Sequence, residues 1–386
     1  MTIFTWQRSR LIHLPQFNIL PITFRFLLPS LLALGLLGGC ARPARKPTTG
    51  APTAARPTAP ATATFTNPLL PAGADPWVIY HDGYYYYTQT TGSNLTLWKT
   101  KSLADLKTAE HRVVWTPPAT GPNSHDIWAP ELHFLRGKWY LYYAADAGSN
   151  SSHRLWVLEN ASPNPLQGPW ADRGKLADPA ADKWAIDGSV FENNGQLYLI
   201  WSGWEGDANG RQNIYLAPMQ NPWTLAGPRV LVSTPTYAWE RNGDLPNPSS
   251  PPHVDVNEGP EILRHAGKLY LVYSASGCWT DFYALGMLTA DADADLRNPA
   301  AWTKSPAPVF QQSPANKVYA PGHNAFFTSP DGQQNWLLYH ANDAPGQGCG
   351  RFRTPRMQPF TWGPGGAPSF GQPVPAGQAL ALPAGQ

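Results

Sequence analysis

Three carboxylates stand at matching places in this 386-residue chain. Asp75, Asp187 and Glu258 each lie eight or nine positions before a glycine that separates two apolar stretches. His323 holds the same place before Gly332, and the pair Trp128-Ala129 holds it before Gly137. Charged side chains seldom open a buried strand for packing reasons, because desolvating them costs more than most single contacts return. Their recurrence therefore marks chemistry. Two carboxyl groups facing each other across a sugar-sized gap can break a glycosidic bond, one giving a proton to the leaving oxygen and the other activating water or attacking carbon. A third carboxylate beside the acid raises that acid's pKa by like-charge repulsion.

The elements that must position these residues are written five times. Ala74 to Thr88 (ADPWVIYHDGYYYYT) is a short apolar strand, a turn built on Gly83 and a second strand rich in aromatics. Later copies run from Trp128 to Ala144, Ile186 to Trp201, Asn257 to Ser274 and Gly322 to His340, with Gly137, Gly195, Gly267 and Gly332 as their turns. Each copy predicts a β-hairpin. Units of roughly 50 to 70 residues, too small to bury their own faces, predict the blades of a propeller. The expected fold is all-β: a single five-bladed β-propeller over residues 67–386. The residues that open the innermost strands then converge at one mouth of its axis.

The first 39 residues predict a signal peptide. Arg8, Arg10 and Arg25 precede the apolar run 26–37, and Leu37-Gly38-Gly39-Cys40 follows it, the pattern of a bacterial lipoprotein signal with Cys40 as the lipidated residue. Residues 40–66, rich in Ala, Pro and Thr, predict an extended tether, because they offer too little apolar surface to offset ordering. Ala41 after the cysteine is not acidic, which favours the outer membrane or cell surface. Setting aside the seven basic residues of the signal and tether leaves 21 Lys and Arg against 26 Asp and Glu. That mildly acidic balance gives no reason to expect a nucleic-acid partner. Cys278 and Cys349 either pair or remain free thiols. No phosphate-cradling loop, zinc-spaced cluster or Ser/His/Asp motif occurs, so no organic cofactor is expected.

Asp75-Pro76, Trp128-Ala129-Pro130-Glu131, Ile186-Asp187-Gly188 and Glu258-Gly259-Pro260, with Gly322-His323-Asn324 and the tail 353–362, resemble glycoside hydrolase family 43 in order and spacing. The resemblance covers essentially the whole expected domain. It implies an inverting hydrolase with Asp75 as general base, Glu258 as general acid and Asp187 raising the acid's pKa. It also implies that His323 lies at the axis near a calcium or sodium ion met through water, and that Arg353 contacts the sugar, although Arg351 and Arg356 compete for that role. The arabinofuranosidase members are the most similar, so the substrate expected is plant arabinan or arabinoxylan. β-Xylosidase, endo-arabinanase and a non-catalytic sugar-binding lipoprotein are the alternatives. Trp128 and Trp77 are expected to offer faces for stacking on sugar. Glu131 is read as structural, and Glu261, three residues past Glu258, as pointing away from the site. The Pro/Asn/Asp-rich insertion 234–256 is expected to wall one side of it.

Overall fold

A computed structural model describes residues 63–178, 180–246 and 249–386. Cys40, the expected signal peptide and most of the expected tether lie outside the described residues. Among those described, no helix is long and apolar enough to cross a membrane.

The five copies form five consecutive antiparallel meanders. The first runs through Ala74–His81, Tyr84–Thr90, Leu95–Thr100 and Glu110–Trp115. The second comprises His125–Leu135, Lys138–Asp146, Arg154–Asn160 and Ala171–Leu176. The third has Ala185–Asn193, Gln196–Gly203 and Arg211–Asn221, with Val230–Ser233 outermost. Asp255–His265, Lys268–Ala275, Ala284–Asp291 and Thr303–Lys304 make the fourth. The fifth is Tyr319–Thr328, Asn335–Asn342, Thr354–Trp362 and Pro368–Ser369.

The glycine turns explain why the first two strands of the first four copies fold back sharply. At Asp82-Gly83, Arg136-Gly137, Asn194-Gly195 and Ala266-Gly267 both residues have positive φ, between 48° and 80°. That is the geometry of a two-residue type I′ hairpin, whose twist matches the twist of the strands.

Apolar side chains fill the space between neighbouring meanders in four buried clusters rather than one central core. The innermost strands touch in sequence, each against the next, and Tyr319–Thr328 of the fifth touches Ala74–His81 of the first, so they form a ring. The chain's two described ends fasten that ring. Thr64–Thr66 pairs antiparallel with Ala379–Ala381. The Asn67 carboxamide bonds both the N–H and the carbonyl of Met357. The N–H groups of Leu69 and Gly73 donate to the carbonyls of Pro355 and Arg353.

The boundary expected after residue 66 is therefore corrected: Thr64–Thr66 belongs to the folded unit. Phe65, the first large apolar residue after the Ala/Pro/Thr stretch, is only 7% exposed and packs 6.0 Å from Trp336. Burying a side chain of that size contributes about 1.5–3 kcal/mol, which together with the ladder to Ala379–Ala381 offsets the cost of ordering the short strand.

Candidate active site

Every innermost strand carries a register shift at the same place. The shifts fall at Ala74/Trp77, Trp128/Glu131, Ile186/Ser189, Glu258/Glu261 and Gly322/Ala325. At each one a residue adopts left-handed backbone: Asp75 (φ 54°), Ala129 (41°), Asp187 (55°), Gly259 (54°) and His323 (52°). Bulges bend a strand and re-aim its side chains, and left-handed non-glycine residues persist only where their surroundings hold them. Gly259 has a further reason to be glycine, since a Cβ there would meet His323 Nδ1 at 3.2 Å.

The rung opposite the shift supplies the ties that hold these bulges. Thr90, Ala144, Ser202, Ser274 and His340 pair with Ala74, Trp128, Ile186, Glu258 and Gly322. Four of the five reach across to the bulge of the following meander. Thr90 Oγ1 accepts the Ala129 N–H at 2.7 Å, Ser202 Oγ donates to the Asn257 carbonyl at 2.9 Å, and Ser274 Oγ accepts the His323 N–H at 2.8 Å. His340 Nδ1 accepts the Asp75 N–H at 3.0 Å, joining the fifth meander to the first. Alanine at 144 has no group with which to do this.

Asp75, Asp187, Glu258, His323, Arg353 and Trp128 all line one cavity of about 520 Å³. Asp75 sits in a positive cradle. Its Oδ1 lies 3.1 Å from Arg353 Nη1 and 3.3 Å from His323 Nδ1, and its Oδ2 accepts the Thr90 hydroxyl at 2.6 Å. His340 Nδ1 stands 3.6 Å from the same oxygen, but that nitrogen accepts a backbone N–H, so His340 is neutral and the contact is not an ion pair. Burial alone would raise the Asp75 pKa. Arg353, with His323 beside Oδ1 and the Thr90 hydrogen bond, outweighs it and holds the carboxyl far below the usual range, as a carboxylate.

The other two carboxyls are displaced in the opposite direction. Burial lifts Glu258 to about 7, opposed by the hydrogen bond from Tyr283 and by Arg353 and reinforced by the Asp75 charge. Tyr283 Oη donates to Glu258 Oε1 at 2.9 Å. Asp187, 4% exposed, is pushed well up by burial and then by Glu258 and Asp75, while its Oδ2 accepts the Gly259 N–H at 2.9 Å. Asp187 and Glu258 thus form a coupled pair that retains a proton where an ordinary carboxyl would have lost it.

Trp77 is a correction. It packs in the buried cluster beneath the first two meanders, lies tilted by 36° against His133 at 4.9 Å and donates Nε1–H to the Leu132 carbonyl, and it does not line the pocket. Three residues past Glu258, Glu261 does not line the cavity. Glu131 bonds His133 at 2.8 Å away from it. The competition among arginines resolves as well, because buried Arg356 pairs with Asp343 and Arg351 lies over Phe352. Cys278 and Cys349 form a disulfide with their Cα atoms 5.2 Å apart, and both cysteines line the pocket. Leu245 and Val254 bring the 234–256 insertion to the pocket wall as expected.

Sequence reasoning missed Thr90, His340, Tyr283, Trp184, Asn209, Gln212 and Trp279. For Thr90 and His340 a signal existed, since both occupy the repeated rung opposite the bulge. For Tyr283 there was none. It reaches the site because Gly322 leaves room, a Cβ at that position falling 2.2 Å from the Tyr283 ring.

An all-β ring that aims one carboxylate and a proton-retaining carboxyl pair into a single pocket defines a site for glycosidic bond hydrolysis. The profile of Glycosyl hydrolases family 43 matches residues 65–368, and the chain belongs to that family. The chain is 39% identical to the extracellular exo-alpha-(1->5)-L-arabinofuranosidase of Streptomyces avermitilis over 92% of its own length and 71% of that protein's. It is 41% identical to the enzyme of the same description from Streptomyces chartreusis, over 73% of this chain and 84% of that one. The crystal structure of alpha-L-arabinofuranosidase from Lactobacillus brevis superposes with a TM-score of 0.74 at 37% identity, covering 81% of this chain and 98% of that one.

Proposed function

We propose that the chain is an inverting exo-acting α-L-arabinofuranosidase that releases terminal arabinofuranosyl groups from plant arabinan or arabinoxylan. The observation that carries this reading is the split in proton affinity within one pocket, with Asp75 held ionised and Glu258 lifted to about 7. The relatives' activities support the choice of sugar. The five meanders are read as the five blades of a propeller, the ring of innermost strands surrounding its axis.

In the proposed reaction Asp75 takes a proton from a water, whose oxygen bonds the anomeric carbon. Glu258 gives its proton to the glycosidic oxygen as the bond from that carbon breaks. The free sugar leaves with inverted configuration, so an α-arabinoside yields β-arabinose first. Arg353 holds Asp75 in its ionised form, burial and the Asp75 charge keep Glu258 protonated, and Asp187 is read as holding that acid in place through the Gly259 N–H, which its Oδ2 accepts.

Among the described residues no three His, Cys, Asp or Glu side chains gather as a direct metal-ligand set. A calcium or sodium ion at the axis is accordingly read as hydrated, met through water by His323, and carries no step of the reaction.

The N-terminal part of the proposal is export as a lipoprotein anchored through Cys40, with the catalytic unit held outside the cell. The extracellular relative supports export. Membrane fractionation of cells expressing a Cys40→Ala variant tests the anchor: release of the mature protein from membranes is expected, and continued membrane association would refute it.

The activity is tested with nitrophenyl α-L-arabinofuranoside, nitrophenyl β-D-xyloside and arabino-oligosaccharide, using the wild-type protein and Glu258→Gln. Arabinose release that falls about 10²–10⁴-fold in the variant on the oligosaccharide is expected for loss of a general acid. Proton NMR of the first product reads its anomeric form. Xylose release without arabinose release, or an α-anomer appearing first, would overturn the respective part of the reading.

A further inference from the structure

The pocket holds more than the carboxyl trio requires. Its volume is about 520 Å³. One pentosyl unit displaces on the order of five waters, or about 150 Å³ at ~30 Å³ each. The lining beyond the trio includes Trp184, Asn209 and Gln212 from the third meander and the loop preceding it.

Two of those side chains carry an unusual feature. Gln212 is only 9% exposed, and its Oε1 is buried without a hydrogen-bond partner. Asn209 Oδ1 is likewise buried and unpartnered. Buried side-chain amide oxygens are nearly always bonded in folded proteins. Two orphans on the lining of one cavity therefore indicate groups whose partner arrives with a ligand.

The ladder shows which part of a ligand they meet. Gln212 is the parallel neighbour of Val256, two residues before Glu258 on the adjoining strand. Two residues of strand span about 6.6 Å, which offsets Gln212 from Glu258 along the wall of the pocket, on the strand neighbouring that of Glu258. A general acid delivers its proton to the oxygen that departs. The unit carrying that oxygen must therefore lie on the Glu258 side of the bond, next to this wall. Trp184, stacked on Trp204 at 4.8 Å and 11°, stiffens the same wall three residues before Asp187.

We propose that Gln212 and Asn209 form the leaving-group subsite and hydrogen-bond the hydroxyls of the arabinosyl unit on the departing side of the cleaved bond. This rests on the arabinofuranosidase reading of the pocket. The two residues would thus set the preference for a sugar over a non-sugar leaving group, while the carboxyl trio serves both.

The test compares kcat/KM on α-1,5-linked arabinobiose, whose leaving group is a sugar, with that on nitrophenyl α-L-arabinofuranoside, whose leaving group carries no hydroxyls to recognise. Gln212→Leu, close in size to the native residue, and Asn209→Ala, on a loop, are each measured, with thermal melting as the check on folding. The ratio of arabinobiose to nitrophenyl kcat/KM is expected to fall about 10-fold in Gln212→Leu and several-fold in Asn209→Ala, the range of one or two lost hydrogen bonds. A ratio unchanged in both variants, with the wild type cleaving both substrates, overturns the subsite and leaves the arabinosidase reading intact. A wild-type protein that cleaves neither substrate overturns the arabinosidase reading, and the subsite with it.

Discussion

Replacing Tyr283 by phenylalanine should move the basic limb of the pH–rate profile upward by about one unit. Tyr283 Oη donates to Glu258 Oε1 at 2.9 Å, and this bond lowers the Glu258 pKa against the effect of burial. A hydrogen bond to the ionised carboxylate is worth about 1.5–3 kcal/mol, and one to the protonated, neutral form about 0.5–1.5 kcal/mol. Losing the hydroxyl therefore penalises the ionised form by roughly 1–1.5 kcal/mol more than the protonated form, which is about one pKa unit at 1.36 kcal/mol per unit. The sign follows directly. In the proposed reaction Glu258 must be protonated, so kcat/KM falls as pH rises through the Glu258 pKa, near 7 in the wild type and about one unit higher in the variant. Phenylalanine keeps the ring that lies parallel to His340 at 5.7 Å and 4°, so that packing is retained. The assay is kcat/KM for arabinoside hydrolysis between pH 4 and 10, with melting temperature measured in parallel. A limb that stays in place, or moves downward, in a well-folded variant would refute the assignment of that limb to Glu258 and its link to Tyr283.

Other substitutions probe the remaining parts of the site and its frame. Arg353→Ala removes the ion pair with Asp75 at 3.1 Å; the acidic limb should move upward as burial goes uncompensated, and kcat/KM should drop roughly 10²-fold, within the range of general-base catalysis. An acidic limb unchanged in this variant would remove Asp75 from the role of base. Trp77→Ala should lower stability by about 3–5 kcal/mol while kcat/KM of the folded fraction stays within about twofold, since Trp77 lies in the core; denaturant unfolding and active-site titration separate the two. Cys278→Ser opens a cross-link spanning 71 residues, worth roughly 4 kcal/mol in the chain-entropy account. A melting temperature insensitive both to this substitution and to reductant would show that the disulfide does not form in solution. Addition of a chelator followed by calcium should lower and then restore the melting temperature if a hydrated cation occupies the axis, and a flat response argues against it.

The repeat was legible because it lies in local chemistry. The turn glycines need positive φ, and the paired apolar strands need a face to bury, so Gly83, Gly137, Gly195, Gly267 and Gly332 marked the hairpins without any tertiary information. Asp75, Asp187 and Glu258 were legible for a related reason. Charge at the opening of a buried strand is costly enough to require an explanation.

The spacing of eight or nine residues, however, concealed a difference that the bulges decide. Asp75 and Asp187 occupy the left-handed position itself, whereas Glu258 stands one residue earlier, on the rung shared with Ile186 and Trp128, and Gly259 takes the left-handed place. Trp77 misled for the opposite reason. It lies two residues past Asp75, a spacing that shares a face on a regular strand, but the register shift between Ala74 and Trp77 breaks that alternation and leaves Trp77 in the core.

The amino-acid sequence by itself determined the number and order of the hairpins and the three carboxylates, because each depends on backbone preference or on the cost of burying charge at a single position, whereas Arg353 entered only through the family resemblance, in competition with Arg351 and Arg356. Only the tertiary structure decided which carboxyl keeps its proton. That depends on Arg353 from the fifth meander reaching Asp75 of the first, and on the burial of Glu258 beside the Asp75 charge, which outweighs the hydrogen bond from Tyr283. Proton affinity in a pocket is set by the sum of burial and neighbouring charge in space, and separation along the chain carries no record of either.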